Sequence, residues 1–345
     1  YQHWAPVGPG SRTDQLVSFI DFAPTVLNLA GIPIPAVMQG QPFLRTKALK
    51  RKPVAAIRDR VDEVLECSRT LHDGHYQYIR NFMRHRPRMQ RSFYSERTPI
   101  RQELRRLHKA GKLQGAETWL MQPDKPIEEL YDTDKDPYEL NNLAGNPEYK
   151  EQLRDMRDQL YNWILTTRDL SFLHETDMLL RAAGDPPFIL GQDSERYPLE
   201  RILEMADRVG RGPEHVDDFK TGLSDADSGV RYWAATGLAA LGLKAHPALS
   251  ALENALNDEM PCVRFTAAEA LCNLDCCDRA VQVLAEGLAH ENIKVALHAA
   301  EILVVIGDRA RPARSAMQTA IQRTEGMQDH GWYMREALMY LKQHL

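Results

Sequence analysis

Six consecutive residues carry the densest potential for chemistry in this chain. Arg58-Asp59-Arg60-Val61-Asp62-Glu63 sets two guanidinium groups among three carboxylates. A guanidinium offers planar, bidentate donors that suit sulfate or carboxylate oxygens, while carboxylates accept from sugar hydroxyls or from an amine. Arg58, Asp59, Arg60, Asp62 and Glu63 are therefore candidate substrate-binding residues. The competing reading is an exposed loop that neutralises its own charges. A second concentration lies at residues 80–112, where eleven Lys and Arg stand against Glu96 and Glu103, with His85, Phe93 and Tyr94 interleaved. A local charge near +9 would steer a polyanion toward it. His85 and Arg86 are the members expected nearest the first cluster.

Other residue groups promise less. Four of the five cysteines fall between Cys262 and Cys277, but Cys272-x3-Cys276-Cys277 does not match the paired hooks of structural zinc. An odd count without even spacing argues against a disulfide framework, so these cysteines read as small apolar residues packing inside helices. Asp132-x-Asp134-x-Asp136 opens like a calcium loop, but Pro137 replaces the glycine and Leu143 the closing glutamate. Turn formation is the expected role. His72 and His75 flank the Asp73-Gly74 turn and read as surface positions.

The elements that must position these groups fall into two halves. At 345 residues the chain exceeds one comfortable core, so two or more domains are expected. Its 43% hydrophobic and 26% charged composition excludes wholesale disorder. No apolar run approaches the ~18–20 residues of a membrane span. With a net charge of −5 and no recognised binding motif, the chain is not read as a nucleic-acid binder. The chain starts at Tyr1, within what reads as a loop, so it is expected to be a piece of something longer.

In the second half, Val230-Arg231-x-x-Ala234-Ala235-x-x-Leu238 returns as Val263-Arg264-x-x-Ala267-Ala268-x-x-Leu271 and as Val295…Ala299-Ala300-x-x-Leu303. The steps are 33 and 32 residues, and a weaker fourth copy includes Glu336-Ala337-Leu338. Each unit reads as two amphipathic helices that can bury their apolar faces only against the next copy. These residues resemble HEAT-type repeats, an α-solenoid that serves by default as an interaction module. The first half reads as α+β: a helix over 16–29, a hairpin around Asp73-Gly74, a short strand at 127–131 and a helix from 147 to about 167.

Two segments of that half resemble the sulfatase family. Ser11-Arg12-Thr13-Asp14-Gln15-Leu16-Val17-Ser18-Phe19-Ile20-Asp21-Phe22-Ala23-Pro24-Thr25-Val26-Leu27, followed by Ala30-Gly31-Ile32-Pro33 and Met38-Gln39-Gly40, is similar to the stretch that closes the catalytic domain. Glu129-Leu130-Tyr131-Asp132, Asp136-Pro137 and Asn142-Leu143-Ala144 are similar to its C-terminal subdomain. The intervening residues look most like the heparan N-sulfatase branch. The resemblance implies an α+β fold: the C-terminal portion of an alkaline-phosphatase-like α/β sulfatase with its small antiparallel sheet, then the all-α solenoid. Expected boundaries are 1–45 for the catalytic-domain tail, 46–175 for the subdomain, 176–196 for a linker and 197–345 for the repeats.

The resemblance also implies hydrolysis of a sulfate ester or sulfamate on a sulfated glycan, and export to the periplasm or outside. Such enzymes use a formylglycine made from Cys or Ser in a C/S-x-P-x-R motif, together with Ca2+. Neither Cys67-Ser68-Arg69-Thr70 nor Cys262-Val263-Arg264-Phe265 fits that motif. Nucleophile and calcium ligands are therefore expected upstream of Tyr1, and this stretch alone is expected to be silent. A non-catalytic repeat module that holds a protein partner, and a phosphoester or phosphonate hydrolase of the same superfamily, are the alternatives.

Overall fold

The computed structural model describes residues 10, 12, 14–44 and 53–345. Ser11, Thr13 and the expected boundary at 45–46 lie outside the described residues. Two compact units divide the chain: Tyr1–Ile57, Arg69–Arg80 and Glu128–Trp163 in one, Arg58–Ser68, Asn81–Ile127 and Ile164–Leu345 in the other.

The first unit is organised by a sheet in the order β1 (Val54–Arg58), β2 (Ser68–His72), β3 (Tyr76–Asn81), β4 (Glu128–Asp132). β2 and β3 make the expected hairpin. Gly74 takes φ 104°, and the Asp73 carboxylate accepts from the N–H groups of His75 (2.8 Å) and Tyr76 (2.7 Å). β4 pairs antiparallel with β3, Tyr78 opposite Leu130. The Asn142-Leu143 segment satisfies Leu130, whose N–H donates to Asn142 Oδ1 (3.0 Å) and whose carbonyl accepts from Leu143 N–H (2.8 Å). That is the structural content of the second motif.

Two helices belong to this unit, α1 (Phe22–Ala30) and most of α2 (Lys150–Thr167). α1 starts later than the apolar run implies because Ser18 is extended and a 3-10 turn, Phe19–Asp21, precedes the helix. Asp21 fixes the entry by accepting from Ser18 N–H and Gln41 N–H, both at 2.8 Å. Pro24 is tolerated in the first turn, where an N–H has no helical partner. Tyr78, Leu130, Met156 and Leu160 are fully buried. Above them the Tyr78 hydroxyl donates to Glu128 (2.6 Å), which Arg157 also grips with two bonds. β1 has no counterpart in the sequence reading, since its five residues show no alternation.

In the second unit the repeats form helix pairs as expected: α6 (Val216–Gly222) with α7 (Ser228–Leu241), α8 (Leu249–Ala255) with α9 (Pro261–Asn273), α10 (Asp278–Gly287) with α11 (Ile293–Ile306), and α12 (Arg314–Arg323) with α13 (Asp329–His344). All nine repeat-signature positions, Val230, Ala234, Leu238, Val263, Ala267, Leu271, Val295, Ala299 and Leu303, are buried. The repeated Arg has a structural use as well. Arg231 forks onto Asp258 of the next repeat at 2.7 and 3.0 Å, which locks register between neighbours. Gly287 lets α10 lie against Phe265, because a Cβ there would come within 2.5 Å of the ring. Replacing Ala267 by Phe is expected to overpack α9 and cost about 1–3 kcal/mol in urea denaturation. An unchanged midpoint would mean the stack is loose.

The expected linker is not one. Residues 176–196 belong largely to α3 (Glu175–Ala182) and α4 (Pro187–Gln192), which precede α5 (Leu199–Arg208). Pro186-Pro187 starts α4 instead of breaking structure, since proline is at home in a first helical turn. α3 is tied to the repeats: Arg181 bridges Asp177 on its own helix and Asp227, the N-cap of α7. The expected 46–175 subdomain is divided too. Residues 58–68 and 81–127 are tied to each other by the buried pair Lys125–Glu66, and they join the repeats through Phe82, packed on Phe172 and Trp233 (4.9 and 6.3 Å), through Phe93 on Trp332 (5.1 Å), and through the buried pair Arg86–Glu269.

The cysteines require a further correction. Cys272 and Cys277 form a disulfide closing the turn between α9 and α10, while Cys67 and Cys262 are buried outside any disulfide. An odd total says nothing about one local pair.

Candidate functional site

The loop after β1 turns on a short bridge in which Val61 and Val64 exchange backbone hydrogen bonds at 3.0 and 2.9 Å, with Asp62 at φ 55°. This turn separates the loop's charges. Arg58 stands exposed at the end of β1. Asp59 and Arg60 line a cavity of about 250 Å³ together with Glu66, His174, Glu175 and Trp233. The Asp62 carboxylate acts on Tyr333 of α13, holding its hydroxyl above the usual phenol range. Glu63 faces the other way, into a second cavity of about 330 Å³ that it shares with His85, Arg86 and Glu301. Leu65 belongs to both walls. Of the seven candidates, two therefore meet in one cavity and three in its neighbour.

In the first cavity, Arg60 donates through Nε to Glu175 Oε2 at 3.0 Å and lies 3.3 Å from His330 Nε2. Lys294 holds the other Glu175 oxygen at 2.6 Å. Burial would raise the Glu175 carboxyl, but Lys294 and Arg60 bring it down to about 2. Two cations on one carboxylate leave net positive character beside Asp59, an arrangement that can receive an anionic or strongly polar group. His174, stacked on His298 at 4.2 Å, is held neutral by burial, down to about 4.

The second cavity is drier. Arg86 donates to Glu269 at 2.6 Å, both side chains being almost fully buried. Burial opposes the Arg86 charge, and the Glu269 carboxylate more than restores it. Burial pushes the Glu63 carboxyl up, although Phe93 N–H donates to it. It drives His85 well below the usual imidazole range, with Arg86 adding to the effect. Arg86 is thus tied to the repeats and does not stand at an open rim.

The basic run is likewise largely spent within the fold. Arg101 and Arg105 converge on Glu96, Arg106 pairs with Glu103, and Arg88 and Arg91 lie over Trp119 and Tyr340. In the first unit His75 and Lys135 bond Asp132, so the Asp-x-Asp-x-Asp segment is a turn. Sequence reasoning missed Glu175, at the end of the expected subdomain, and Lys294, His330 and Glu301 from the repeats. The one signal for Glu301 is a carboxyl two residues before Leu303 in a helix whose other polar side chains are Lys294 and His298. Among the described residues no group of three or more His, Cys, Asp or Glu side chains is placed to hold a metal ion.

Residues 2–61 match the sequence family described as N-sulphoglucosamine sulphohydrolase, C-terminal, and residues 216–305 match HEAT repeats. The chain joins a sulfatase C-terminal part to HEAT repeats. Two relatives from Formosa agariphila, both described as ulvan-active sulfatases, are 39% identical over 48% of this chain and 28% identical over 55% of it. The chain spans 28% and 37% of their lengths. A solved complex of a protein with its substrate D-glucosamine-2-N,6-O-disulfate is 19% identical over 42% of this chain and 23% of that one, with a TM-score of 0.27. An engineered protein is 16% identical over 59% and 94% of the two chains, with a TM-score of 0.30. Neither structural likeness carries weight. The matched sulfatase segment thus runs into the charged loop, where Arg60 pairs with Glu175 of α3 and Lys294 of the repeats holds the same carboxylate.

Proposed function

We propose that this chain is the C-terminal part of an enzyme that hydrolyses sulfate esters or sulfamates on a sulfated glycan. The 39% identity to an ulvan-active sulfatase carries the reading. The exposed apolar surface of α1 and the turn before it, with Phe19, Phe22 and Val26 in solvent, supports docking of a catalytic domain that brings formylglycine and Ca2+. Calcium would supply Lewis-acid stabilisation of sulfate oxygens there. The part played by this chain is selection of the sugar. Asp59 accepts from hydroxyls, and Arg60, fixed by Glu175 and by the Asp62 carbonyl, sets a positive charge beside an anionic substituent. Arg58 stands beside them, exposed. Export to the periplasm or the medium goes with a polysaccharide substrate, and no helix of the described residues is long and apolar enough to cross a membrane.

The experiment compares the intact enzyme with residues 1–345. Sulfate release from a sulfated polysaccharide is expected from the first and not from the second. In the intact enzyme, Arg60→Ala should lower kcat/KM on the polysaccharide by about 10-fold or more, the worth of a charged hydrogen bond, and far less on a small aryl sulfate. Equal losses on both would make Arg60 a structural residue. Hydrolysis of phosphate esters in preference to sulfate esters would overturn the reading.

A further inference from the structure

The second cavity is lined by residues from two sources, the segments 63–65 and 85–91 on one side and helix α11 of the repeats on the other. We propose that this cavity binds one neutral, hydroxyl-bearing sugar ring, and that Glu301 of the repeats is its specificity-determining residue. The proposal rests on the sulfatase reading for its ligand class, a glycan.

Four buried polar atoms on the lining residues have no hydrogen-bond partner: Glu63 Oε2, His85 Nδ1, Arg86 Nε and Glu301 Oε1. Folded proteins rarely leave such atoms unpaired, and four around one cavity mark a place where a polar molecule completes the bonding. Glu301 and Arg86 are each about nineteen-twentieths buried, so bulk solvent does not explain them.

The chemistry of the set excludes a free anion. Arg86 is already matched by Glu269 at 2.6 Å, and Arg91 is stacked over Tyr340. Glu63 contributes an acceptor, and His85 is neutral. Burial raises the Glu301 carboxyl to about 8, so at neutral pH it keeps its proton and can donate as well as accept. A ligand here meets an N–H donor, a carboxylate acceptor and two groups that serve either way. Hydroxyls, each both donor and acceptor, satisfy that mixture, whereas a sulfate, which only accepts, does not. Leu65, Pro87, Ile302 and Val305 add apolar wall for the C–H face of a ring. About 330 Å³ is at the small end of the ~300–1,000 Å³ typical of ligand sites and suits a single ring.

Saturation-transfer NMR on the 345-residue chain tests this with methyl glycosides of glucose, rhamnose and N-acetylglucosamine, and calorimetry with inorganic sulfate. At least one glycoside is expected to bind. Glu301→Ala should weaken it about fivefold to tenfold, the worth of one hydrogen bond. Glu301→Gln should retain most of the affinity, because the amide restores a donor and an acceptor. Val305→Trp, which fills the cavity from its open side, should abolish binding in a chain whose circular dichroism is unchanged. Failure of every glycoside to bind, binding indifferent to Glu301→Ala and Val305→Trp, or binding of sulfate alone would each overturn the proposal. Binding is read on the chain alone. An empty cavity therefore leaves the sulfatase reading standing, and an intact enzyme that releases no sulfate leaves a bound glycoside standing.

Discussion

Arg86→Met is expected to destabilise the chain by about 3–5 kcal/mol, measured as a lowered urea midpoint, because it leaves the Glu269 carboxylate buried without its counter-ion. Both side chains are within a few per cent of full burial, and Arg86 donates to Glu269 at 2.6 Å across 183 residues of sequence. Removing one member of such a pair exposes the cost of desolvating the other. Replacing both does not, so Arg86→Met with Glu269→Leu should recover most of the loss. The double-mutant cycle also separates a tie from a site. A substrate-binding arginine at an open rim would cost almost nothing in stability when removed, and a neutral Arg86→Met would return it to that role.

Glu301→Gln should do the opposite and stabilise the chain at neutral pH. The carboxyl sits in the wall of the second cavity with Oε1 unpartnered. Burial raises it from an ordinary value of 4.5 to about 8, while Arg60 and Arg86 act to lower it and Glu63 and Glu175 to raise it. The sign follows from proton counting. Between pH 4.5 and about 8 the unfolded chain has released this proton and the folded chain still holds it. Folded stability therefore falls as pH rises across that window and levels off above it. The full penalty is at most about 3–5 kcal/mol. Glutamine cannot ionise, so the Glu301→Gln chain should match the parent below the window and melt progressively higher than it through the window. Parallel melting temperatures at all pH values would show that Glu301 is ionised in the folded chain and paired with a cation.

Where the physical signal is local, the sequence by itself determined the outcome. Steps of 33 and 32 residues carrying Val, Ala-Ala and Leu put one apolar stripe on each helix, and all nine positions are buried. Asp73-Gly74 specified a hairpin because aspartate accepts from the amides two and three residues on, those of His75 and Tyr76, and glycine takes the positive φ. The sulfatase-like segments likewise named the sheet, with Asn142 and Leu143 bonded to Leu130 in β4.

Tertiary structure alone decided which charges face a cavity and which are spent. The run of eleven cations looks like a polyanion patch when only neighbours along the chain are counted. In the fold Glu96 gathers two of them, aromatic rings cover three more, and Glu269, far away in sequence, takes Arg86. Arg58 to Glu63 reads as one cluster, yet a tight turn at Val61–Val64 sends Arg60 toward Glu175 and Lys294 and sends Glu63 toward Glu301. The reason is range. Helix periodicity and turn chemistry act over a few residues and leave a pattern in the sequence. Ion pairs form between side chains brought together by packing, so any of a dozen carboxylates is an equal partner until the helices are stacked.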